Sequence, residues 1–548
     1  MTVLSTYVMA AALSPILFAA LFLKTPLSSR TIGVFSLLAA IALIVLSAVL
    51  PQLIFDHERY LHDLWTAFET ANKAASGLAS STDYFSPIGP VYDWIFRIAV
   101  AVRPLSATTV PLASAIFALA VLLLSVALLG RQLSLGALGL VALIAVATIV
   151  SPREPDMIFA QTTMSWLAPY NRWAAGLAAV VTVALCCPPG RRGMPEAVLL
   201  GVCIALVLLT KVTFGAALIG LLVAAVVFRN VSWKQAALAG VSTVAVLAAA
   251  ELVTGQVSAN LADIATVAGF AGEGWRLIKL LSQMGEAVLW AVGASALYLL
   301  LCEQLGSGKR VTPILLMATA AAMACVILMQ NHWVSESPVY AILPVAAAEW
   351  AGLFRRQDLS DGVSARSTTV SGRILAGLAV LLALIYPARD GGTLIAQVAR
   401  GLQYPANADL ADTGQAGFQV YPRWFSEPDS KVVVDYNRML DGLDLLRREG
   451  AGQPEAGPVL ALNFANPFPA LLKRPSPAQA PIWFQKGRIF SEDVHQPAEV
   501  LFSDADYVMR AHGDPAGEDL WDIYGPYVSE TYSKLAETPY WTLYRKTP

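Results

Sequence analysis

The chain has 548 residues, of which 56% are hydrophobic and only 14% charged, with a mean hydropathy of +0.58. A soluble domain carries about 25% charged residues, so this composition excludes a wholly soluble protein and predicts a polytopic helical membrane protein. The net charge of −2 argues against a nucleic-acid partner, and the five cysteines, all in or beside apolar segments, make neither a disulfide framework nor a zinc spacing.

Apolar runs of spanning length predict about twelve transmembrane helices, at roughly 5–23, 31–50, 107–129, 134–150, 171–187, 194–210, 212–228, 235–253, 286–302, 311–329, 338–353 and 374–388. Met1–Leu23 has no basic leader region and no A-x-A site, which reads as a retained span rather than a signal peptide. The connections then alternate in charge. Lys24 and Arg30, Arg131, Arg191 and Arg192, Arg229 and Lys234, Lys309 and Arg310, and Arg355 through Arg373 fall between each odd-numbered span and the next. The positive-inside rule makes those loops cytoplasmic. The opposite side then carries both termini, the long loop 51–106, the hairpin tip at Lys211 and the tail from 389.

Loop 51–106 is too long for a plain connector. Within it, Leu61, Leu64, Trp65, Phe68, Ala71 and Ala75 recur at helical spacing, with Asp63, Thr66, Thr70 and Lys73 on the other side. This predicts an amphipathic helix over 59–76 lying along the membrane surface. Residues 87–104, interrupted by Asp93, Arg97 and Arg103, predict a second in-plane segment, and 272–284 a third amphipathic piece. The tail turns rich in Pro, Asp, Tyr and Trp. Strands are predicted at Lys431–Tyr436, Pro458–Asn463, Ala505–Met509 and Trp541–Arg545, with a helix over Asn437–Arg448 and an ordered loop over 464–500. The expected architecture is an all-α membrane domain over 1–388 and a small α/β domain over 389–548.

The early loop carries a resemblance. His62-Asp63 opens a helix that ends at Gly77, and Asp83-Tyr84-Phe85-Ser86-Pro87-Ile88-Gly89-Pro90 follows, with Tyr92 and Trp94. This resembles the acidic pair, glycine-terminated helix and Pro-x-x-Pro-x-Tyr-x-Trp element of the GT-C-fold glycosyltransferases. Within that fold it is similar to the bacterial membrane mannosyl- and aminoarabinose-transferase-like superfamily, which uses polyprenyl-phosphate-linked sugars. Two spans precede the loop where the family often has one, and the pair is His-Asp rather than Asp-Asp or Asp-Glu. The resemblance implies a bacterial inner-membrane enzyme that takes a sugar from a polyprenyl-phosphate donor to a glycan, lipid or protein acceptor on the periplasmic face. The alternatives are a flippase for lipid-linked saccharide and an O-antigen ligase or polymerase-type enzyme.

Such a transfer needs a carboxylate to deprotonate the acceptor hydroxyl and cations to stabilise the leaving lipid phosphate. Asp63 is the first candidate for the base and Asp83 the second; each also has an ordinary role, as a helix N-terminal acid and as a turn residue. Substrate-binding candidates are Lys211, Arg153, Arg172, Arg276, Lys279 and His332, with Asp56, Glu58, His62 and Tyr84 in the loop itself. Tyr170, Trp166, Trp173 and Trp333 are candidate sugar platforms, or else members of an interfacial aromatic belt. No cofactor is called for. A divalent metal is compatible with the chemistry but unsupported, because His57 and His62 are spaced poorly for one helical face.

Overall fold

The computed structural model describes residues 28–55, 61–152, 166, 168–188, 192–270, 277–330, 337–354, 370–403, 415, 417–420, 431–453 and 455–548. The predicted first span, 5–23, lies outside these residues. Long apolar helices dominate, and a four-stranded sheet lies near the C-terminus. Among the described residues, six helices are long and apolar enough to cross a membrane: Ser29–Ala48, Thr109–Leu129, Trp233–Thr254, Gln283–Leu305 within Leu277–Leu305, Val311–Leu328 within Val311–Gln330, and Ile374–Gln403 within Val370–Gln403. Shorter apolar helices are Leu135–Val150, Met194–Thr210 and Val212–Val227. Phe35, Leu38, Ile41 and Val45 form an exposed stripe at helical spacing on Ser29–Ala48. A row of large apolar side chains facing outward belongs against lipid, so this is a multi-pass membrane protein.

Two ends of the bundle can be told apart by what bonds to what. At one end Arg131 pairs with Glu196 at 3.0 Å, Gln235 donates to the Arg192 carbonyl at 3.0 Å, and Ser307 donates to the Ala351 carbonyl at 2.8 Å. The basic connections at 131, 192, 229–234 and 309–310 therefore share one end. Loop 51–106, the turn at Lys211 and the C-terminal region gather at the other, where Gly89 lies directly against Leu209.

The loop helix forms over Leu61–Ala75, close to the predicted range, and ends where Gly77 takes a positive φ of +83°. The second loop helix spans Pro90–Val102, with its proline in the first turn. One expectation is corrected. The polar side of Leu61–Ala75 does not face water: Thr66, Thr70, Asn72 and Lys73 are buried. The C-terminal segment 474–478 covers it, with Asn72 donating to the Arg474 carbonyl at 2.7 Å and to Ser476 at 2.8 Å. Helical phase identifies the two faces of a helix but not what packs on the second.

β1 (Leu53–Phe55) pairs in parallel with β2 (Phe418–Val420), which ties the start of the early loop to the start of the tail. The C-terminal sheet has the order β3-β4-β6-β5, with β3 (Val459–Leu462), β4 (Tyr507–Ala511), β5 (Tyr532–Glu537) and β6 (Trp541–Lys546). β3 and β4 are parallel, and the other pairs antiparallel. Side chains alternate between two cores: Val459, Ala461 and Met509 face the core continuous with the helical bundle, and Leu460, Leu462 and Val508 face a separate one.

Three further readings are corrected here. Lys431–Tyr436 is not a strand; it begins the helix Lys431–Arg448. Its β-branched run favours a strand locally, but Tyr436, Met439, Leu443 and Leu446 bury one helical face, and tertiary burial outweighs propensity. From Leu277 onward the third amphipathic piece is part of a single helix reaching Leu305. Helix Gln256–Phe270, helix Pro515–Thr531 and strand β5 have no counterpart in the sequence reading.

Candidate active site

The site is assembled at the N-terminal end of the loop helix. Leu64, Trp65 and Phe68 are buried and anchor this helix, with Trp65 against Phe418 of β2 at 5.3 Å between ring centroids. Asp63, one residue before the anchored turn, is left only partly buried. Its carboxylate accepts no hydrogen bond from the described residues, and burial pushes its pKa up to about 7 against the opposing pull of His62 and Arg488. An acid held this way is poised to take a proton near neutrality.

Around it stand groups from four other segments. Tyr92 of Pro90–Val102 and Tyr170 of Pro169–Cys186 both lie within electrostatic reach of Asp63, and their rings meet edge-on at 5.6 Å. Lys211, in the turn between Met194–Thr210 and Val212–Val227, sits 4.8 Å from the centroid of the Tyr170 ring. It also donates to Asn171 Oδ1. Burial, with Arg488 adding to it, lowers the Lys211 pKa to about 7. Arg488 comes from the C-terminal region and acts on Asp63, Tyr170 and Lys211 alike. Asp63 acts on Tyr170, Lys211 sits over the Tyr170 ring, and Arg488 acts on all three, so one carboxylate and two basic side chains gather at one end of an apolar bundle.

The Pro-rich element is held in place by helix Gln256–Phe270. Asn260 donates to the Ser86 and Ile88 carbonyls, each at 2.9 Å, and Asp263 accepts from the Ser86 amide at 2.9 Å. Gln256 accepts from the Trp94 indole at 2.7 Å and donates to the Ser80 carbonyl at 3.0 Å. This clamp fixes the entry to Pro90–Val102 and with it Tyr92.

The other sequence candidates fall in different places. Asp83 closes a turn by accepting from the Ala79 amide at 2.6 Å. It lies near Lys73, on whose charge it acts, and Lys73 is ten residues, about 15 Å of helix, from Asp63. Tyr84 is buried beneath the Lys73 ammonium, 4.7 Å from its ring centroid. Arg172 is partly buried on the same helix start as Tyr170. Trp166 and Trp173 are buried, and Trp173 donates to Ser114 at 3.1 Å and stacks on Phe117, as core residues do. Arg153, Arg276, His332, Trp333, Asp56 and Glu58 lie outside the described residues, as does the side chain of Lys279.

His62 faces the C-terminal region, with Nε2 3.0 Å from Asp435 Oδ2. His62, Asp435 and Asp514 bring possible ligand atoms within 4.8 Å of one another. The Arg438 guanidinium already stands between the two aspartates, 3.4 Å from Asp435 and 3.2 Å from Asp514. The donor set is thus matched to a guanidinium, and it does not fit a resident metal ion.

Sequence reasoning missed Arg488 and the clamp residues. Arg488 lies in an irregular stretch with no periodicity to orient it. Gln256, Asn260 and Asp263 follow i, i+4 and i+7 spacing on an otherwise apolar run, a polar helical face that was there to be read.

Neither a family model nor a curated protein matches the chain. Two solved structures are similar to it. They are those of ArnT from Cupriavidus metallidurans in the apo state and bound to undecaprenyl phosphate. Each is 15% identical to this chain, covering 92% of it and 97% of that chain, with TM-scores of 0.46 and 0.48 respectively. A likeness at that level carries no argument about reaction or ligand.

Proposed function

We propose that this protein is an integral-membrane glycosyltransferase that moves a sugar from a polyprenyl-phosphate-linked donor to an acceptor hydroxyl, with Asp63 as the general base. The observation that carries the reading is the Asp63 carboxylate: without a hydrogen bond from the described residues, raised to a pKa of about 7, and within electrostatic reach of Arg488 and of Tyr170, over whose ring Lys211 sits. The resemblance of His62 through Trp94 to the GT-C early loop agrees with it.

The acceptor oxygen attacks the anomeric carbon while Asp63 takes its proton. The bond from that carbon to the phosphate oxygen breaks, and its electron pair leaves with the lipid phosphate. Lys211, with its charge favoured once the anion arrives, stabilises the departing phosphate. The basic connections gather at the opposite end of the bundle, so the site is assigned to the periplasmic face of a bacterial inner membrane, together with the C-terminal region. Asp83 is assigned the structural role of closing its turn.

The test uses membranes carrying the full chain and a panel of polyprenyl-phosphate sugars. Asp63→Asn is expected to lower transfer by about 10²–10⁴-fold, and Asp83→Asn by far less. Wild-type transfer rates in Asp63→Asn would remove this residue from the chemistry. Loss of saccharide export with transfer intact would favour a flippase instead.

A further inference from the structure

The residue next to the proposed base is held by a chain of charges that ends deep in the C-terminal region. His62 Nε2 lies 3.0 Å from Asp435 Oδ2, and the imidazole packs against Phe464 with ring centroids 5.4 Å apart. Asp435 Oδ1 is 3.4 Å from Arg438 Nη1, and that same nitrogen is 3.2 Å from Asp514 Oδ2. Arg438 also donates to the carbonyls of His512 and Gly513, at 3.4 Å and 3.2 Å. Its own carbonyl accepts from the Trp541 indole at 2.7 Å. Asp514 is fixed in turn, because its Oδ1 caps helix Pro515–Thr531 by accepting from the Ala516 amide at 3.0 Å. Asp435, Arg438 and Asp514 are all buried.

A buried network of this kind contributes little net stability, because desolvation offsets most of the attraction. What it supplies is geometry: the contacts on Asp435, Arg438 and Asp514 each fix the position of the next member. The member at its open end is His62, and His62 and Asp63 are consecutive in the first turn of the loop helix.

We propose that Asp435 is a positioning residue that acts through His62 to hold Asp63, so that the base is set only when the C-terminal region is docked on the loop helix. This rests on the reading of Asp63 given above. Asp63 is faced by His62 on its own helix, by Arg488 from the C-terminal region, and by Tyr92 and Tyr170 from two helices of the bundle. His62 is faced by Asp435, with Arg438 and Asp514 behind it. His62 also draws the Asp63 pKa down against the effect of burial. The contact therefore sets the place of the base.

Two variants in the full-length protein separate the parts. Asp435→Asn is expected to lower the transfer plateau about tenfold at saturating donor, with little change in donor KM. His62→Gln keeps a hydrogen-bonding side chain but removes the group that draws the Asp63 pKa down, so it is expected to move the acid limb of the pH–rate profile to higher pH with a smaller loss of plateau. Asp435→Glu should restore part of the plateau. Hydrogen exchange gives a readout independent of transfer. In Asp435→Asn, amides over 61–67 should exchange faster while those over 135–150 stay unchanged. Faster exchange there while Asp63→Asn retains transfer would keep the dock and sink the role of Asp63 as base. Unaltered exchange together with an unaltered plateau in Asp435→Asn would overturn the proposal.

Discussion

Asp63 is the proposed base, so its proton should decide the behaviour of the site. Its folded pKa, about 7, lies above the ordinary value of 3.8 because burial penalises the anion. Two consequences follow from that sign. A base must be deprotonated to act, so transfer should rise with pH along a limb centred near 7. An acid whose pKa is raised by folding also stabilises the fold most fully below its unfolded pKa. That stability is lost as pH climbs toward the folded value. Asp63→Asn should therefore match wild type in thermal stability near pH 4 and exceed it at pH 8, by roughly 2 kcal/mol once partial exposure of the carboxylate is allowed for. Thermal melts of the purified protein at the two pH values check this, and equal stability at pH 8 would show that the carboxylate carries no such penalty. Lys73, three turns along, shows the opposite case. It and Glu69 are both buried, 3.8 Å apart, and its ammonium bonds to the Pro477 and Ala478 carbonyls. There the ammonium is held by carbonyls of the C-terminal region, and the residue has a packing role.

At the scale of elements, three things hold residues 61–102 in place: a helix anchored by aromatic side chains, a turn closed by Asp83, and a clamp from helix Gln256–Phe270. The contact between Gly89 and the end of Met194–Thr210 sets how closely these can approach. A β-carbon on Gly89 would stand 2.1 Å from the Leu209 carbonyl oxygen, too near for backbone to yield cheaply. Gly89→Ala is expected to destabilise the protein by about 1–3 kcal/mol and to lower transfer by shifting Tyr92 and the Lys211 turn. Gly240→Ala, where a β-carbon meets nothing within 4 Å, should leave both unchanged. Melting temperature and transfer rate, compared across the two variants, decide it; a silent Gly89→Ala would mean that the loop and hairpin are not coupled. The elements legible in sequence were those with a clean period: the apolar spans, helix Leu61–Ala75 and strands β3, β4 and β6. Those misread were Lys431–Tyr436, where three consecutive valines suggested a strand, and helices Gln256–Phe270 and Pro515–Thr531, whose polar positions are explained only by distant partners.

The whole molecule is a bundle with chemically different ends. One collects the basic connections, and the other collects the loop helices, the Lys211 turn and the C-terminal region. All five cysteines are buried, so single introduced cysteines can report sidedness against a low background. Ser76→Cys, exposed at the site end, should react with a membrane-impermeant maleimide in intact cells stripped of their outer membrane. Lys309→Cys, exposed at the other end, should react only after lysis. The reverse pattern would invert the proposed orientation and place the site on the cytoplasmic side.

Sequence by itself determined the membrane class, the positions of six spans among the described residues, the alternation of loop charge and the existence of an amphipathic early loop. Each of these is a local or periodic property, set by solvent preference residue by residue. It also singled out Asp63 and Lys211, which stand out as ionisable groups beside apolar runs. Only the tertiary structure brought these two to the same tyrosine, Tyr170, added Arg488 from a stretch without periodicity, and tied His62 to Asp435 across 373 positions of chain. It also buried the face of the loop helix that amphipathicity had assigned to water. Those outcomes depend on which surfaces meet, and a helix face or a lone arginine carries no mark of its distant partner.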